Sequence, residues 1–284
     1  MAEKCISCNS DKNIELYQKD SFLGSPVYKC VDCGLMFFYS SDQELEDKCN
    51  NYYKKEYWSK FRKKGEQKRA ILSFIIHYLR LFKTHPLQQS WHLSLIRKFS
   101  QNNNIKRLLE IGCGKGETIR YFSQLGLDVT GIEPDLNNTK KINKMLGKKV
   151  VINGLGDKVK IEGKFDVIYM CHVFEHFIRP DKFLKIIKNN LNEEGVIFIE
   201  VPNCDNKKVL YNSLNLHPHI YSFTLNSTRK LFENNGYQVL KSGVYSQESK
   251  NYIIKLYKML RRKNNYREDK EMRGEGIYLL AKPL

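Results

Sequence analysis

The sequence lacks a long apolar run. The longest such stretch in the 284 residues covers 71–82 and is interrupted by His77 and Arg80, whereas a membrane-spanning helix needs roughly 20 apolar residues in a row. The first residues are polar, without the apolar core of a signal peptide. We therefore expect no membrane span, no signal peptide and a cytoplasmic location.

The length suits one large α/β domain with a small accessory module, since domains often hold about 100 to 200 residues.

Acidic residues are few compared with basic ones. There are 31 Asp and Glu against 48 Lys and Arg, so the net charge is +17, and such an excess is typical of proteins that neutralise nucleic-acid phosphates. The excess is uneven: residues 51–104 hold 12 basic and 2 acidic side chains, but residues 1–50 hold 5 basic and 9 acidic ones. We interpret much of the lysine as the solvated faces of helices. Nucleic acid is therefore retained only as an alternative partner.

The eight cysteines do not resemble a disulfide framework. Four of them are scattered, and the other four form two Cys-x-x-Cys pairs separated by 21 residues: Cys5, Cys8, Cys30 and Cys33. Paired thiolates at this spacing are typical of a closed, tetrahedral Zn²⁺ site with no open position for catalysis. A module of about 40 residues buries little apolar surface, so we expect the metal to supply most of its folding free energy.

Three regions follow one another along the chain. Residues 1–40 form the predicted four-cysteine zinc module, residues 41–104 a helical linker or cap, and residues 105–284 a domain in which apolar runs alternate with amphipathic stretches, as in a parallel sheet with crossover helices. The predicted strands are 107–111, 129–133, 150–152, 165–170, 196–201, 237–245 and 276–281, and the predicted helices are 117–125, 136–146, 181–191 and 227–235, the last capped by Ser227. A basic segment, 250–270, has one helical face made of Ile253, Ile254, Tyr257 and Leu260.

A glycine-rich turn separates the first of these strands from the helix after it. Gly112, Gly114 and Gly116 allow the backbone to turn sharply and to approach a ligand closely. The dinucleotide fingerprint G-x-G-x-x-G is absent, since the third glycine comes two residues after the second, and this disfavours a pyrophosphate ligand. Glu133 ends the next strand, where an acid can accept both hydroxyls of a ribose. The turn and the acid together predict a ligand that contains adenosine.

Residues 105–245 resemble the class I S-adenosylmethionine-dependent methyltransferases. The run Glu-Ile-Gly-Cys-Gly-Lys-Gly at 110–116 is similar to the hallmark of that family, 165–176 to its fourth-strand motif, and 194–195 with 201–203 to its fifth-strand region. The resemblance implies a Rossmann-like α/β fold with a seven-stranded, mostly parallel sheet, S-adenosylmethionine as cofactor and S-adenosylhomocysteine as product. The cofactor-binding residues that it implies are Glu110, Gly112, Cys113, Gly114, Gly116, Glu133, Pro134, Gly154, Leu155, Cys171 and His172.

A narrower resemblance joins the module to the domain. Methyltransferases of sugars and related metabolites often carry a Cys-x-x-Cys pair in a segment like 30–37, followed by a Tyr-rich stretch like 52–58. In sugar C-methyltransferases a Tyr-His-Glu-His stretch supplies the base. Here the sequence is Leu-His-Pro-His at 216–219, which lacks the tyrosine and the glutamate and makes C-methylation an alternative only.

The function that follows is transfer of a methyl group from S-adenosylmethionine to an oxygen of a small polar metabolite, a sugar or an activated glycan precursor. Because 51–104 is basic, a phosphorylated or nucleotide-linked acceptor is favoured. Histidine suits the proton transfer near neutral pH, so His219 is the first candidate base and His217 the second, while Glu175 and His176 either catalyse or order their loop. The alternatives are an RNA methyltransferase, although the fourth strand lacks the Asn/Asp-Pro-Pro-Tyr/Phe sequence associated with base amines, and a non-catalytic cofactor-binding scaffold.

Overall fold

The computed structural model of the protein describes residues 4–38, 40–52, 87–100, 104–248, 254, 257–258, 261 and 265–284. Most of the Tyr-rich stretch and the apolar run 71–82 lie outside the described residues, as do Ile253 and Leu260 of the predicted basic helix; Ile254 and the pair 257–258 are helical. No helix in the described part of the chain is long and apolar enough to cross a membrane.

Helices and strands alternate through most of the chain. The strands are β1 (Ile14–Gln18), β2 (Val27–Cys30), β3 (Met36–Phe38), β4 (Arg107–Ile111), β5 (Asp128–Glu133), β6 (Val151–Asn153), β7 (Phe165–Cys171), β8 (Leu191–Pro202), β9 (Tyr221–Ser222), β10 (Tyr237–Gln247), β11 (Tyr266–Glu268) and β12 (Gly276–Pro283). The α-helices are α1 (Asp42–Tyr52), α2 (Leu87–Phe99), α3 (Glu117–Gln124), α4 (Leu136–Leu146), α5 (Pro180–Ile187), α6 (Lys207–Asn215) and α7 (Leu225–Asn234). Short 3₁₀ turns cover Phe174–His176 and Lys188–Asn190.

The central sheet has eight strands in the order β11-β10-β12-β8-β7-β4-β5-β6. The five strands from β8 to β6 are parallel, and β12, β10 and β11 pair antiparallel to their neighbours. The predicted α/β fold with a mostly parallel sheet is thus confirmed. One strand more than expected is present, since β11 adds to the edge of β10 within a segment that was predicted to be helical.

The two faces of this sheet pack against different layers. Side chains alternate in direction along a strand, so Leu109 and Ile111 of β4 belong to one buried cluster and Leu108 to the other. Helices α5 and α7 cover the first face together with the four-cysteine segment, and α2, α3 and α4 cover the second. The cysteine segment therefore shares a hydrophobic core with the large domain.

A second, smaller sheet joins the cysteine segment to the large domain. Its strand order is β1-β2-β3-β9, and β9 comes from the segment between α6 and α7. The pairing sets Met36 opposite Ser222 and Phe37 opposite Tyr221. Since backbone hydrogen bonds cross from one region to the other, the position of β3 fixes the position of β9.

The start of α7 differs from the prediction. Thr224 is the N-cap, and Ser227 stands three residues later as its partner in a reciprocal capping box. Helix α6 was expected to be part of a loop rich in Asn and His; Asn206 caps it by accepting hydrogen bonds from the backbone N–H groups of Lys208 and Val209. In both cases several polar residues near the helix start are capable of capping, and the contacts of the folded chain select one.

Replacing Thr224 with alanine should lower the free energy of unfolding by roughly 1 to 3 kcal/mol. Its hydroxyl accepts a hydrogen bond from the Ser227 backbone N–H at 3.1 Å and donates one to the Cys33 carbonyl at 2.9 Å, so alanine removes the helix cap and one contact between the two regions. Urea unfolding followed by circular dichroism measures the change. Thr224→Ser keeps the hydroxyl and is the matched control; equal stability of all three proteins would contradict the assignment.

Candidate active site

A cavity of about 580 Å³ lies at the carboxyl ends of the parallel strands. Open α/β sheets bind their ligands at this edge, beside the point where the strand order reverses. The chain following β4, β5, β6 and β7 supplies most of the wall, and α1 supplies Glu46 and Cys49 from above. The residues on its wall that the sequence predicts to bind cofactor are Gly112, Gly114, Glu133, Pro134, Leu155, Cys171 and His172.

The three glycines in the turn after β4 differ in what surrounds them. Gly112, Gly114 and Gly116 have φ values of 77°, 54° and 77°, a region that residues with a Cβ rarely adopt. A Cβ on Gly112 would lie 2.2 Å from Val173 Cγ2, and one on Gly116 2.6 Å from Ile142 Cγ1, whereas one on Gly114 would meet no described atom within 4 Å. Close packing thus requires two of the glycines, while Gly114 faces the open cavity.

Glu133 is the acid at the end of β5. One carboxylate oxygen accepts the Gly114 backbone N–H at 2.8 Å, and the other accepts the Asp135 backbone N–H at 2.9 Å. The side chain is 3% exposed, and this burial raises the pKa of the carboxyl group. The two backbone bonds fix the carboxylate on the cavity wall, and each oxygen retains a further lone pair for a hydroxyl donor.

Four residues of the predicted cofactor set stand behind the wall of the cavity: Glu110, Cys113, Gly116 and Gly154. Glu110 is 3% exposed, its Oε2 atom has no hydrogen-bond partner among the described residues, and burial raises the pKa of its carboxyl group to about 8. The Cys113 Sγ atom lies 3.5 Å from the Glu110 carbonyl oxygen and 3.4 Å from that of Ile132. Glu110 and Cys113 therefore belong to the buried base of the glycine turn and not to the surface of the cavity.

Several wall residues carry no motif in the sequence. They are Glu46, Cys49, Asn138, Gly156, Asp157, Lys158, Val173, Phe177 and Ile178. The Lys158 Nζ atom lies 3.4 Å from Glu46 Oε1, so an ion pair connects helix α1 to the loop after β6. Tertiary contact alone brings α1 here, and for that reason no spacing along the chain could indicate it.

The four predicted catalytic residues lie close together, and His176 is the one of them that lines the cavity. Glu175, which is 1% exposed, places Oε1 3.9 Å from His219 Nε2 and 3.6 Å from His172 Nδ1. The rings of His176 and His219 have centroids 4.8 Å apart, and those of His217 and His219 are stacked at 5.2 Å. The structure thus groups four histidines around one buried carboxylate.

The charges in this cluster determine its protonation. Burial opposes ionisation of Glu175, but the surrounding histidines outweigh it and lower its pKa to about 2. Burial lowers the pKa of His219 to about 3, helped by repulsion from His176. The His172 side chain is half exposed, so burial opposes its charge only weakly, and the carboxylates of Glu175 and Glu200 raise its pKa to about 10. The cluster therefore combines an ionised carboxylate with a neutral His219 ring at neutral pH.

Glu200 on β8 anchors His172 from the other side. It is fully buried and accepts hydrogen bonds from the Gln88 amide at 2.9 Å and the Tyr245 hydroxyl at 2.6 Å, with the Nε2 atoms of His92 and His172 at 2.7 and 2.9 Å. Burial opposes ionisation, yet these neighbours hold the pKa of Glu200 well below its usual range. The sequence gives one indication of this residue, since Glu200 is the one acid within the apolar run 196–201.

The four cysteines of the two pairs also converge. Cys5 and Cys33 have Sγ atoms 3.6 Å apart, Cys8 and Cys30 have theirs 3.4 Å apart, and all four lie within 4.8 Å of one another. The two turns are alike: the Asn9 N–H donates to the Cys5 carbonyl and the Gly34 N–H to the Cys30 carbonyl, each at 2.8 Å, with φ of 60° and 80° at the donor residues. Tetrahedral bonds of about 2.3 Å separate neighbouring sulfurs by roughly 3.8 Å, so this geometry fits zinc.

The strand order, the glycine turn and the acid at the end of β5 together define a class of protein. A family model described as "Methyltransferase domain" matches residues 83–242, more than half of the chain. The chain belongs to this family, and it contains a class I S-adenosylmethionine-dependent methyltransferase domain.

Curated relatives match only the central part of the chain. The ubiquinone biosynthesis O-methyltransferase of Pelagibacter ubique (strain HTCC1062) is 33% identical over 105 residues, 35% of this chain and 43% of that protein. That of Glaesserella parasuis serovar 5 (strain SH0165) is 28% identical over 109 residues, 34% of this chain and 46% of that protein. The chain thus spans less than half the length of these two relatives.

A solved structure shares the fold over most of the chain. The plantazolicin methyltransferase BpumL, in complex with a triazolic desmethylPZN analog and SAH, is 19% identical with a TM-score of 0.57, and the match covers 85% of this chain and 98% of that one. The plantazolicin methyltransferase BamL is 16% identical with a TM-score of 0.51, and the match covers 69% and 84% of the two chains. At these identities the likeness shows the fold.

Proposed function

We propose that the enzyme methylates a hydroxyl oxygen of a small polar metabolite, with a sugar or an activated glycan precursor as the acceptor class. The observation that carries this proposal is the group of histidines around Glu175, two of which, His172 and His176, line the cavity. A hydroxyl is a weak nucleophile until its proton is removed or its oxygen is polarised, and imidazole groups serve that purpose near neutral pH. The relatives whose names specify O-methyltransferases support the choice of oxygen.

The cofactor occupies the cavity along the glycine turn. Glu133 accepts the two ribose hydroxyls, the backbone at Gly112 and Gly114 follows the methionine part, and the loop at 154–158 borders the adenine. The support for this placement is the pair of backbone bonds that orient the Glu133 carboxylate toward the open side of Gly114. The methyl group then points toward the loop after β7, because that loop forms the wall shared with the histidines.

His219 is the residue at which the acceptor hydroxyl is activated. Its ring is neutral, since burial lowers its pKa to about 3, and the Ser213 hydroxyl fixes its orientation through Nδ1 at 2.8 Å. His217 stacks on it and is half-buried. Loss of the hydroxyl proton and attack of oxygen on the methyl carbon give a methyl ether, S-adenosylhomocysteine and a proton.

A structural Zn²⁺ ion is the second part of the proposal. The four thiolates would bind it in a closed shell, and the ion would cross-link the two cysteine turns without taking part in catalysis. The cysteine segment lies against β9 and the start of α7, where the Cys33 carbonyl accepts the Thr224 hydroxyl. Metal binding would therefore stabilise the position of β9, which directly follows the loop that carries His219.

Replacing Glu133 with alanine should weaken binding of S-adenosylhomocysteine by roughly 2 to 4 kcal/mol, because two hydrogen bonds to a charged group are lost. Isothermal titration calorimetry gives the affinity directly. Glu233→Ala, which removes an acid from the surface of α7, is the control and should bind as the wild type does. An unchanged affinity of Glu133→Ala would contradict the placement of the ribose.

Elemental analysis of protein purified without chelator should detect a tightly bound zinc ion that depends on the cysteine pairs. Cys30→Ser should lower the zinc content by about one ion per chain, since a ligand set of three thiolates binds more weakly. Cys204→Ser, a buried cysteine outside the pairs, should keep it. Zinc content that is the same in both variants and the wild type would refute the site.

Replacing His219 with asparagine should lower turnover by about 10² to 10⁴, the range typical for loss of a group that assists proton transfer. Affinity for S-adenosylhomocysteine should stay unchanged, which separates this effect from misfolding. A panel of sugars and nucleotide-linked sugars is assayed by S-adenosylhomocysteine release, and mass spectrometry identifies the methyl ether. Turnover within a few-fold of the wild type would transfer the role to His217, and methylation confined to RNA would overturn the small-molecule acceptor.

A further inference from the structure

We propose that Glu175, His176 and His219 bind a divalent transition-metal ion, which coordinates the hydroxyl of the methyl acceptor. This inference rests on the proposed function and specifies how the hydroxyl is activated: through a metal ion held by His219 instead of through direct proton transfer to the His219 ring. The ion is distinct from the zinc of the four cysteines, which form a separate cluster.

The first argument is the spacing of the three side chains. One carboxylate oxygen and one ring nitrogen from each histidine all lie within 4.8 Å of one another. The 3.9 Å between Glu175 Oε1 and His219 Nε2 is too long for a hydrogen bond. Two ligands that bind one ion at about 2.1 Å are separated by roughly 3.0 Å at right angles and roughly 4.2 Å on opposite sides. The observed separation falls in that range.

The second argument is the lack of hydrogen bonds to the Glu175 carboxylate. The side chain is 1% exposed, and neither of its oxygens has a hydrogen-bond partner among the described residues. Its nearest ring nitrogens are His172 Nδ1 at 3.6 Å and His219 Nε2 at 3.9 Å, so the histidines compensate its charge without closing a hydrogen bond. Glu200 is equally buried but accepts hydrogen bonds from Gln88 and Tyr245. The Glu175 oxygens therefore keep lone pairs that can bind a cation.

The third argument is the orientation of the two rings. The His176 Nδ1 atom lies 3.1 Å from the Pro218 carbonyl oxygen, which can only accept, so the proton is on Nδ1 and the neutral ring has its lone pair on Nε2. The His219 Nδ1 atom lies 2.8 Å from the Ser213 hydroxyl, and this hydroxyl is 2.9 Å from that of Ser222. Histidines that bind metals almost always have the second ring nitrogen held in this way.

The chemistry follows from the position of the ion. His176 is on the wall of the cofactor cavity, so a hydroxyl bound to the ion would lie beside the methyl donor. Two imidazole nitrogens and one carboxylate suit Zn²⁺, Fe²⁺, Mn²⁺ or Co²⁺ and leave coordination positions open. A hydroxyl bound there becomes more acidic and releases its proton to solvent. Its oxygen then bonds to the methyl carbon as the C–S bond breaks and the electron pair passes to sulfur, and the metal keeps its oxidation state.

Manganese(II) is the probe, because its electron paramagnetic resonance signal reports binding without any turnover. Titration of the zinc-loaded full-length protein should show one Mn²⁺ per chain. Glu175→Gln and His219→Asn each remove a ligand and should weaken Mn²⁺ binding by at least about 100-fold, and Ser213→Ala should weaken it by about 10- to 100-fold, as is usual for loss of an outer-shell bond. Glu233→Gln, which changes a surface carboxylate of α7 outside the ligand set, should bind Mn²⁺ as the wild type does.

Calorimetry with S-adenosylhomocysteine verifies that each variant is folded. Absence of Mn²⁺ binding by the wild type, or equal binding by the wild type and Glu175→Gln, overturns the metal site; hydroxyl methylation by the wild type and its loss in His219→Asn then still stand as evidence for the proposed function. Mn²⁺ binding that follows the predicted order of variants supports the site. If the wild type with bound metal methylates no hydroxyl, the acceptor assignment is overturned while the ion-binding site is retained.

Discussion

Burial of negative charge at one edge of the central sheet is the constraint on which the rest of the site depends. Glu110, Glu133 and Glu200 lie at or near the carboxyl ends of three parallel strands, and Glu175 follows a fourth. An ionised carboxylate removed from water must be compensated by hydrogen bonds or by positive charge. Glu133 accepts hydrogen bonds from backbone N–H groups of nearby loops, and Glu200 accepts them from side chains of α2 and β10. The pKa of Glu110 is raised to about 8, which favours its neutral form. The charge of Glu175 is compensated by histidines.

The small sheet fixes the position of the histidine loop, residues 216–219. Residues 216–219 stand between α6 and β9, and β9 pairs with β3 of the cysteine segment. On the other side of the loop, the Ile220 N–H donates to the Glu175 carbonyl at 3.0 Å, and the Pro218 carbonyl faces His176. The loop is thus fixed between the cysteine segment and the turn after β7. The cysteine segment is remote from this loop in sequence, yet it shares a hydrophobic core with Ile220 and Tyr221 at the end of the loop.

The parts of the fold and site that the sequence predicts are those that depend on local interactions. The alternation of apolar runs gives the strands of the parallel sheet, and the glycine turn with Glu133 locates the cavity, because β4 and β5 are neighbours connected by one helix. The short strands β9 and β11 and the covering position of α1 depend on contacts between distant segments. The same holds for Gln88 and His92, which acquire their role only when α2 packs against β8 and contacts Glu200. The periodicity of apolar residues along the chain gives no information about contacts between distant segments.

The loop after β7 joins the cavity to the histidine cluster. Its residues 172, 173 and 176–178 line the cavity, and it also carries Glu175 and His176 of the histidine cluster. Its first residue, His172, has φ of 55°, a conformation that is unfavourable for a side chain of this size, and its backbone N–H donates to the Glu200 carbonyl at 2.9 Å. The side chain of Glu200 holds the same histidine through Nε2. Since α2 orients Glu200, the chain of contacts from α2 through β8 fixes the start of the loop, and with it the position of Glu175 and His176 beside the cavity.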